Sequence, residues 1–240
     1  MTLEPNNIYC GDCYELIKDI PDKSVDCIYT DIPYLFTHGI GGNSPLAKRV
    51  DKLQSNELIS IRDGIDYAIL DEFIRVLKYI NVFIWCNKTQ IPTILNYFLK
   101  YDVQYEILVW CKDNPTPMTN NTWLPDIEYC LWFKQKGTSL NDGYELKSKW
   151  YNSPINKRDK DKFNHPTIKP IELVKRHLLH TTQPNDIVLD CFMGSGTTCV
   201  AAKDIGRRYI GIEIEKKWFN IAKDRLEGTD ANGQISLFLR

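Results

Sequence analysis

The stretch DIVLDCFMGSGTTCVAAKDIGRRYIGIEIEKKW, residues 186–218, decides the fold. An apolar run over 187–189 ends at Asp190, and Cys191 leads into the tight turn Phe192-Met193-Gly194-Ser195-Gly196. Thr197 opens a stretch of helical character, and a second apolar run over 209–212 ends at Glu213, 17 positions after Gly196. Strand, glycine turn, helix and strand form a unit of a parallel sheet. Glycines let the backbone approach a ligand closely, and an acid ending the following strand is placed to accept both hydroxyls of a ribose. The unit reads as a nucleoside-cofactor pocket.

The same alternation runs outward through the chain. Strands are predicted at 25–29, 82–85, 105–110 and 129–133, and helices at 14–18, 66–79, 90–100, 171–180 and 216–226. Continuous apolar strands alternating with amphipathic helices imply an α/β fold, a mostly parallel sheet with helices on both faces. Ligands in such sheets bind beyond the carboxyl ends of the strands. Two stretches break the pattern. Residues 37–65 hold Gly39, Gly41, Gly42 and Pro45 and read as a mobile functional loop. Residues 134–165 read as a polar segment.

The chain has 240 residues, room for one large domain or one domain with a small insert. Its 30 Lys and Arg nearly cancel 31 Asp and Glu, so the net charge of -1 offers no global field for nucleic acid. Locally the balance differs. Between 134 and 169, Lys134, Lys136, Lys147, Lys149, Lys157, Arg158, Lys160, Lys162 and Lys169 outnumber four acids, with Trp150, Tyr151 and Phe163 interleaved. This is either a solvated linker or a nucleic-acid contact region, with Lys147, Lys149, Lys157, Arg158, Lys160 and Lys162 as the candidate DNA contacts. No secretory signal and no membrane-length apolar run is present, so the expected location is cytoplasmic. Eight cysteines in such a chain are expected as reduced core residues, Cys10 among them. Cys10-x-x-Cys13 lacks a second close pair, and His177 with His180 lacks partners, so no metal is expected.

A dinucleotide site would need G-x-G-x-x-G, but Cys199 stands three after Gly196. Asp190 before the turn would repel phosphate and suit a cationic amino-acid moiety. These residues favour S-adenosylmethionine over NAD.

Phe192-x-Gly194-x-Gly196 resembles the cofactor motif of the amino-methylating DNA methyltransferases. Asp31-Ile32-Pro33-Tyr34 resembles their catalytic Asp-Pro-Pro-Tyr, and His165-Pro166-Thr167-Ile168-Lys169-Pro170 the motif before the cofactor strand. Gly11-Asp12-Cys13-x-x-x-Leu16 and Trp110-x-Lys112-x-Asn114-x-x-Pro117 are similar to further family motifs. The matches span residues 8–226, catalytic motif first, which is the permuted, β-class order. The resemblance implies a single Rossmann-like methyltransferase domain over 1–240, S-adenosylmethionine as cofactor and double-stranded DNA as partner. It assigns catalysis to Asp31, Ile32, Pro33 and Tyr34. The cofactor falls to Asp190, Cys191, Phe192, Gly194, Ser195, Gly196, Thr197 and Glu213, bordered by Asp12, Cys13, Thr167 and Lys169. Residues 113–165 become the target-recognition region. A homodimer and a cognate restriction endonuclease stand open as further partners.

Ile32 departs from the family proline. The resemblance gives that position only a carbonyl acceptor, which any residue has, and Pro33 still biases it toward extended backbone. Asp31 and the Ile32 carbonyl would draw an amino lone pair toward a more nucleophilic, tetrahedral form, while Tyr34 would stack on a base turned out of the duplex. Cytosine C5 chemistry is excluded, because no Pro-Cys dipeptide occurs. The N4 of cytosine is the alternative to the N6 of adenine, although its enzymes typically carry Ser where Asp31 stands. RNA or a small molecule as acceptor, an NAD oxidoreductase and an inert nucleic-acid-binding protein are the other readings.

Overall fold

Side chains alternate across a strand, and here that alternation sorts the helices onto two faces. The computed structural model describes residues 2–35, 64–115, 117, 123–138, 140–155 and 168–228. Among these, eight strands form one sheet: β1 (Asn7–Cys10), β2 (Cys27–Asp31), β3 (Asn81–Cys86), β4 (Val103–Lys112), β5 (Ile127–Gln135), β6 (Trp150–Ser153), β7 (Ile187–Asp190) and β8 (Arg208–Glu213). Their order is β1-β8-β7-β2-β3-β5-β4-β6. Every pairing is parallel except those of β5 with β3 and β4.

Helices α1 (Cys13–Leu16), α2 (Ile69–Val76) and α3 (Ile91–Phe98) pack with Ile28, Val82, Ile84, Leu131, Leu189 and Ile210 on one face. Helices α4 (Ile171–Thr181), α5 (Thr197–Asp204) and α6 (Lys216–Glu227) pack with Cys27, Tyr29, Phe83, Trp85, Trp132 and Val188 on the other. All six residues of β3 are buried, which explains the apolar run read over 82–85. This is the predicted α/β fold, Rossmann-like and mostly parallel.

Two strands escaped the sequence reading. Neither β1 nor β6 has a fully buried residue, and each lies at a sheet edge. Edge strands with one partner carry no continuous apolar run, so periodicity does not find them. The segment read as polar connection over 134–165 thus holds β6, paired parallel to β4. Helix α2 is shorter than its pattern, because Leu77 leaves the helix and bridges to Val25. Cys10 is corrected too: it is exposed at the end of edge strand β1, whereas Cys13, Cys27, Cys86, Cys130, Cys191 and Cys199 are buried. The loop residues 37–63 lie outside the described residues.

Gly196 shows how tightly the cofactor turn is built. Its φ is 78°, and an added Cβ would stand 2.8 Å from the Cβ of Ala222 on α6. Left-handed backbone costs a side chain about 1–3 kcal/mol, and overpacking a further ~1–3 kcal/mol. Gly196→Ala is therefore expected to lower stability by roughly 2–6 kcal/mol. Urea denaturation checks this, and an unchanged midpoint would show that α6 yields freely.

Candidate active site

Three adjacent strands, β8, β7 and β2, end in acids at their carboxyl edge: Glu213, Asp190 and Asp31. Two loops complete the site. The turn after β7 carries Phe192 to Gly196. The segment after β2 is tied to β3, with the Ile32 amide donating to the Trp85 carbonyl at 3.2 Å. Gln90 Nε2 donates to the Pro33 carbonyl at 2.9 Å, and Asn87 Nδ2 to the Leu35 carbonyl at 2.6 Å. The Ile32 side chain is buried in the core beneath α1 to α3. An apolar residue there fills the core, so its replacement of proline leaves the loop anchored.

One cleft joins both loops. Its lining includes Asp31, Ile32, Pro33, Tyr34, Lys169, Asp190, Phe192, Gly194, Ser195, Thr197 and Glu213, all predicted from sequence. Gly196 shapes the turn from beneath. Asp12, Cys13 and Cys191 do not line the cleft. Asp12 instead caps α1, accepting from the Tyr14 amide at 2.9 Å. Cys13, opening α1, and Cys191, just after β7, are buried, their thiols pushed up by burial. Thr167 lies outside the described residues.

The cofactor side is internally braced. Thr30 Oγ1 donates to Asp190 Oδ1 at 2.8 Å, and the Phe192 amide to the same oxygen at 3.1 Å. Burial pushes the Asp190 carboxyl up to about 7. Glu213 accepts from the Gly194 amide on Oε2 at 2.9 Å and from the Glu215 amide on Oε1 at 2.7 Å. The Met193 and Gly196 amides go to the Ile212 and Met193 carbonyls. Arg225 of α6 donates to Ser195 Oγ at 2.9 Å and Thr197 Oγ1 at 3.1 Å, pinning the turn.

These contacts test which cofactor fits. A phosphate site offers free backbone amides, yet here the amides of Phe192, Met193, Gly194 and Gly196 are all taken internally. A buried carboxyl pushed to about 7 gains most from a cation beside it. The residues present fit a nucleoside with a cationic tail, and not a dinucleotide.

The catalytic side holds residues that sequence reasoning missed. Lys169 Nζ lies 2.5 Å from Asp31 Oδ2 and 2.9 Å from Glu128 Oε2. Glu128 Oε1 pairs with Lys112 at 2.7 Å. The Tyr34 hydroxyl is 3.5 Å from Glu128 Oε2, and the Lys169 ammonium sits 5.0 Å over the Trp85 ring. The other oxygen, Asp31 Oδ1, is buried and has no hydrogen-bond partner. Burial pushes the Asp31 carboxyl up, Lys169 opposes this, and Glu128 adds to it. Glu128 was invisible as a site residue because it begins a strand. Only the reversed direction of β5 brings that beginning to the carboxyl edge, one residue beyond the Cys86–Tyr129 pair.

Of the candidate DNA contacts, Lys147 and Lys149 are exposed and paired, with Asp142 at 3.0 Å and Glu106 at 2.6 Å. They line a second cavity near the end of α4 that shares no residue with the cleft of Asp31, Asp190 and Glu213. Lys157, Arg158, Lys160 and Lys162 lie outside the described residues. His177 is a core residue, its Nδ1 3.1 Å from the Tyr29 hydroxyl. Among the described residues no three His, Cys, Asp or Glu side chains group as metal ligands would, and no helix is long and apolar enough to cross a membrane.

A glycine turn, an acid ending the following strand and a braced acidic cleft define a Rossmann-like transferase using a nucleoside cofactor. Residues 25–224 match the N6/N4 methyltransferase family, described as DNA methylase. M2.LlaDCHI, a type II methyltransferase of Lactococcus lactis subsp. cremoris, is 31% identical over 90% of this chain and 87% of its own length. M2.DpnII of Streptococcus pneumoniae is 30% identical over 90% of this chain and 88% of its own. The solved M1.HpyAVI–S-adenosylmethionine complex has a TM-score of 0.66 at 29% identity, covering 91% of this chain and 98% of that one. The chain belongs to the N6/N4 family of DNA methylases, S-adenosylmethionine-dependent DNA methyltransferases.

Proposed function

We propose that this protein transfers a methyl group from S-adenosylmethionine to the exocyclic N6 of adenine in double-stranded DNA. The observation that carries the reading is Asp31 Oδ1. It is a buried acceptor with no partner, in a cleft shared by the cofactor turn and Tyr34. Bound there, S-adenosylmethionine supplies an electrophilic methyl on its sulfonium. Asp190 holds the cationic tail, and Glu213, oriented by the Gly194 and Glu215 amides, accepts the ribose hydroxyls.

The amine hydrogens are accepted by Asp31 Oδ1 and the Ile32 carbonyl. Both acceptors are fixed before substrate arrives, so they favour the positive charge that develops on nitrogen. Tyr34 stacks on the base after it leaves the duplex. As the nitrogen bonds to the methyl carbon, the carbon–sulfur bond would break with its electron pair left on sulfur as a neutral thioether, and the excess proton on nitrogen passes to Asp31 Oδ1. Asp rather than Ser at position 31 supports adenine over cytosine. Residues 113–165 serve target recognition in this reading, with Lys147, Lys149, Lys157, Arg158, Lys160 and Lys162 as backbone contacts. A homodimer, a cognate restriction endonuclease and a cytoplasmic location belong to the same reading.

The test is methyl transfer from labelled S-adenosylmethionine to unmethylated DNA, with the products digested to nucleosides and identified by mass. N6-methyladenine is the expected product. N4-methylcytosine would keep the mechanism and reverse the base. No product on DNA of varied sequence, with the cofactor still bound, would refute the reading.

A further inference from the structure

We propose that Glu128 is a positioning residue for methyl transfer: it anchors Lys169 so that the ammonium holds only Oδ2 of Asp31, leaving Oδ1 to the substrate amine. The inference rests on the reading of Asp31 given above. Four charges alternate along one line, Asp31, Lys169, Glu128 and Lys112, with contacts of 2.5, 2.9 and 2.7 Å. They sum to zero, and they come from four separate parts of the chain: the end of β2, the segment before α4, the start of β5 and the end of β4. Lys169 is 8% exposed, Lys112 15% and Glu128 19%, so solvent screens them weakly.

Glu128 does two things in this line. Its Oε2 takes one side of the Lys169 ammonium, which would otherwise be free to bridge both oxygens of Asp31 and compete with the amine. Its charge also offsets part of the pull of Lys169 on Asp31, preserving the acceptor strength of the carboxylate. Glu128 itself stays ionised. Burial would raise it, but Lys169 and Lys112 bring it down to about 2. Lys112 then keeps Glu128 from drawing Lys169 away altogether.

The titratable groups facing Asp31 are few. Tyr29 and Tyr34 stand on its own segment, Cys86 on β3, Glu128 and Cys130 on β5, Asp190 on β7, and Lys169 before α4. Burial raises both tyrosines and both cysteines out of the assay range. Asp190 is common to wild type and variants. Removing the Glu128 charge takes away an influence that raises Asp31, so the acid limb of the kcat profile must move to lower pH.

The experiment compares wild type, Glu128→Gln and Glu128→Gln/Lys112→Gln on DNA that the wild type methylates. Misplacing a reacting group by about 1 Å costs ~100-fold, so Glu128→Gln is expected to lower kcat by roughly that factor. Cofactor affinity should stay within about twofold, since the change does not touch that side. The double variant is again neutral overall but lacks the same anchor, so its kcat should stay about as low as that of Glu128→Gln. Wild-type kcat with an unmoved acid limb in Glu128→Gln would overturn the proposal. So would a double variant that regains wild-type kcat, which would make net charge rather than anchoring the cause, or a kcat that only falls in step with thermal stability. An inactive wild type would instead refute the underlying reading.

Discussion

Asp31→Ala is expected to lower methyl transfer by at least about 1000-fold while leaving cofactor affinity nearly intact. One preorganised electrostatic contact to a transition state is typically worth ~100–1000-fold. Here its loss is compounded. Without Asp31, Lys169 keeps its contact with Glu128 at 2.9 Å and stays in place. A buried ammonium then faces the amine just as that nitrogen becomes positive. Asp31→Asn separates the two effects, because it restores a neutral acceptor and should fall between wild type and alanine. Single-turnover rates give the transfer step and titration calorimetry gives the cofactor affinity. Activity of Asp31→Ala within about tenfold of wild type would remove Asp31 from the chemistry, since that is less than one such contact is worth.

Glu213→Ala should have the largest effect on the cofactor. Hydrogen bonds to a charged acceptor contribute about 1.5–3 kcal/mol each, and a ribose offers two. The expected loss is about 3 kcal/mol or more, over 100-fold in Kd. The variant also releases the Gly194 and Glu215 amides, which Glu213 now holds at 2.9 and 2.7 Å. The turn loses its brace together with the ribose contact. Glu213→Gln keeps the shape and one acceptor, and should lose less. Calorimetry with S-adenosylmethionine and with its demethylated product checks both variants. Affinities within threefold of wild type would mean that the ribose lies elsewhere in the cleft.

Most of the glycine-turn side of the cleft was legible in the sequence. Asp190, Phe192, Gly194, Gly196 and Glu213 are close in sequence, and a parallel crossover admits essentially one hand. Local residue types therefore dictate the pocket. The segment Asp31 to Tyr34 was legible for a similar reason, since its residues are contiguous and follow the apolar residues Cys27 to Tyr29 of β2. The apolar run 82–85 likewise announced a central strand, β3, because both faces are covered.

What stayed hidden depended on distance along the chain or on direction. Asp12 and Cys13 follow a motif yet turn to capping and to the core. Cys10 was expected inside and stands exposed, because β1 is an edge whose neighbour covers only one side. Trp85 entered the reading as a core strand residue, and its second role under the Lys169 ammonium came only from the packing.

The sequence by itself determined the class of sheet, the position of the glycine turn and the acid, Asp31, that ends β2 in the cleft. Each of these depends on neighbours within a few dozen residues. Only the tertiary structure decided that Asp31 shares Lys169 with Glu128, across separations of 138 and 41 residues. The physical reason is the reversal of β5. An antiparallel strand inserted beside β3 carries its first residues to the edge where the parallel strands end, and no local pattern encodes which edge that is.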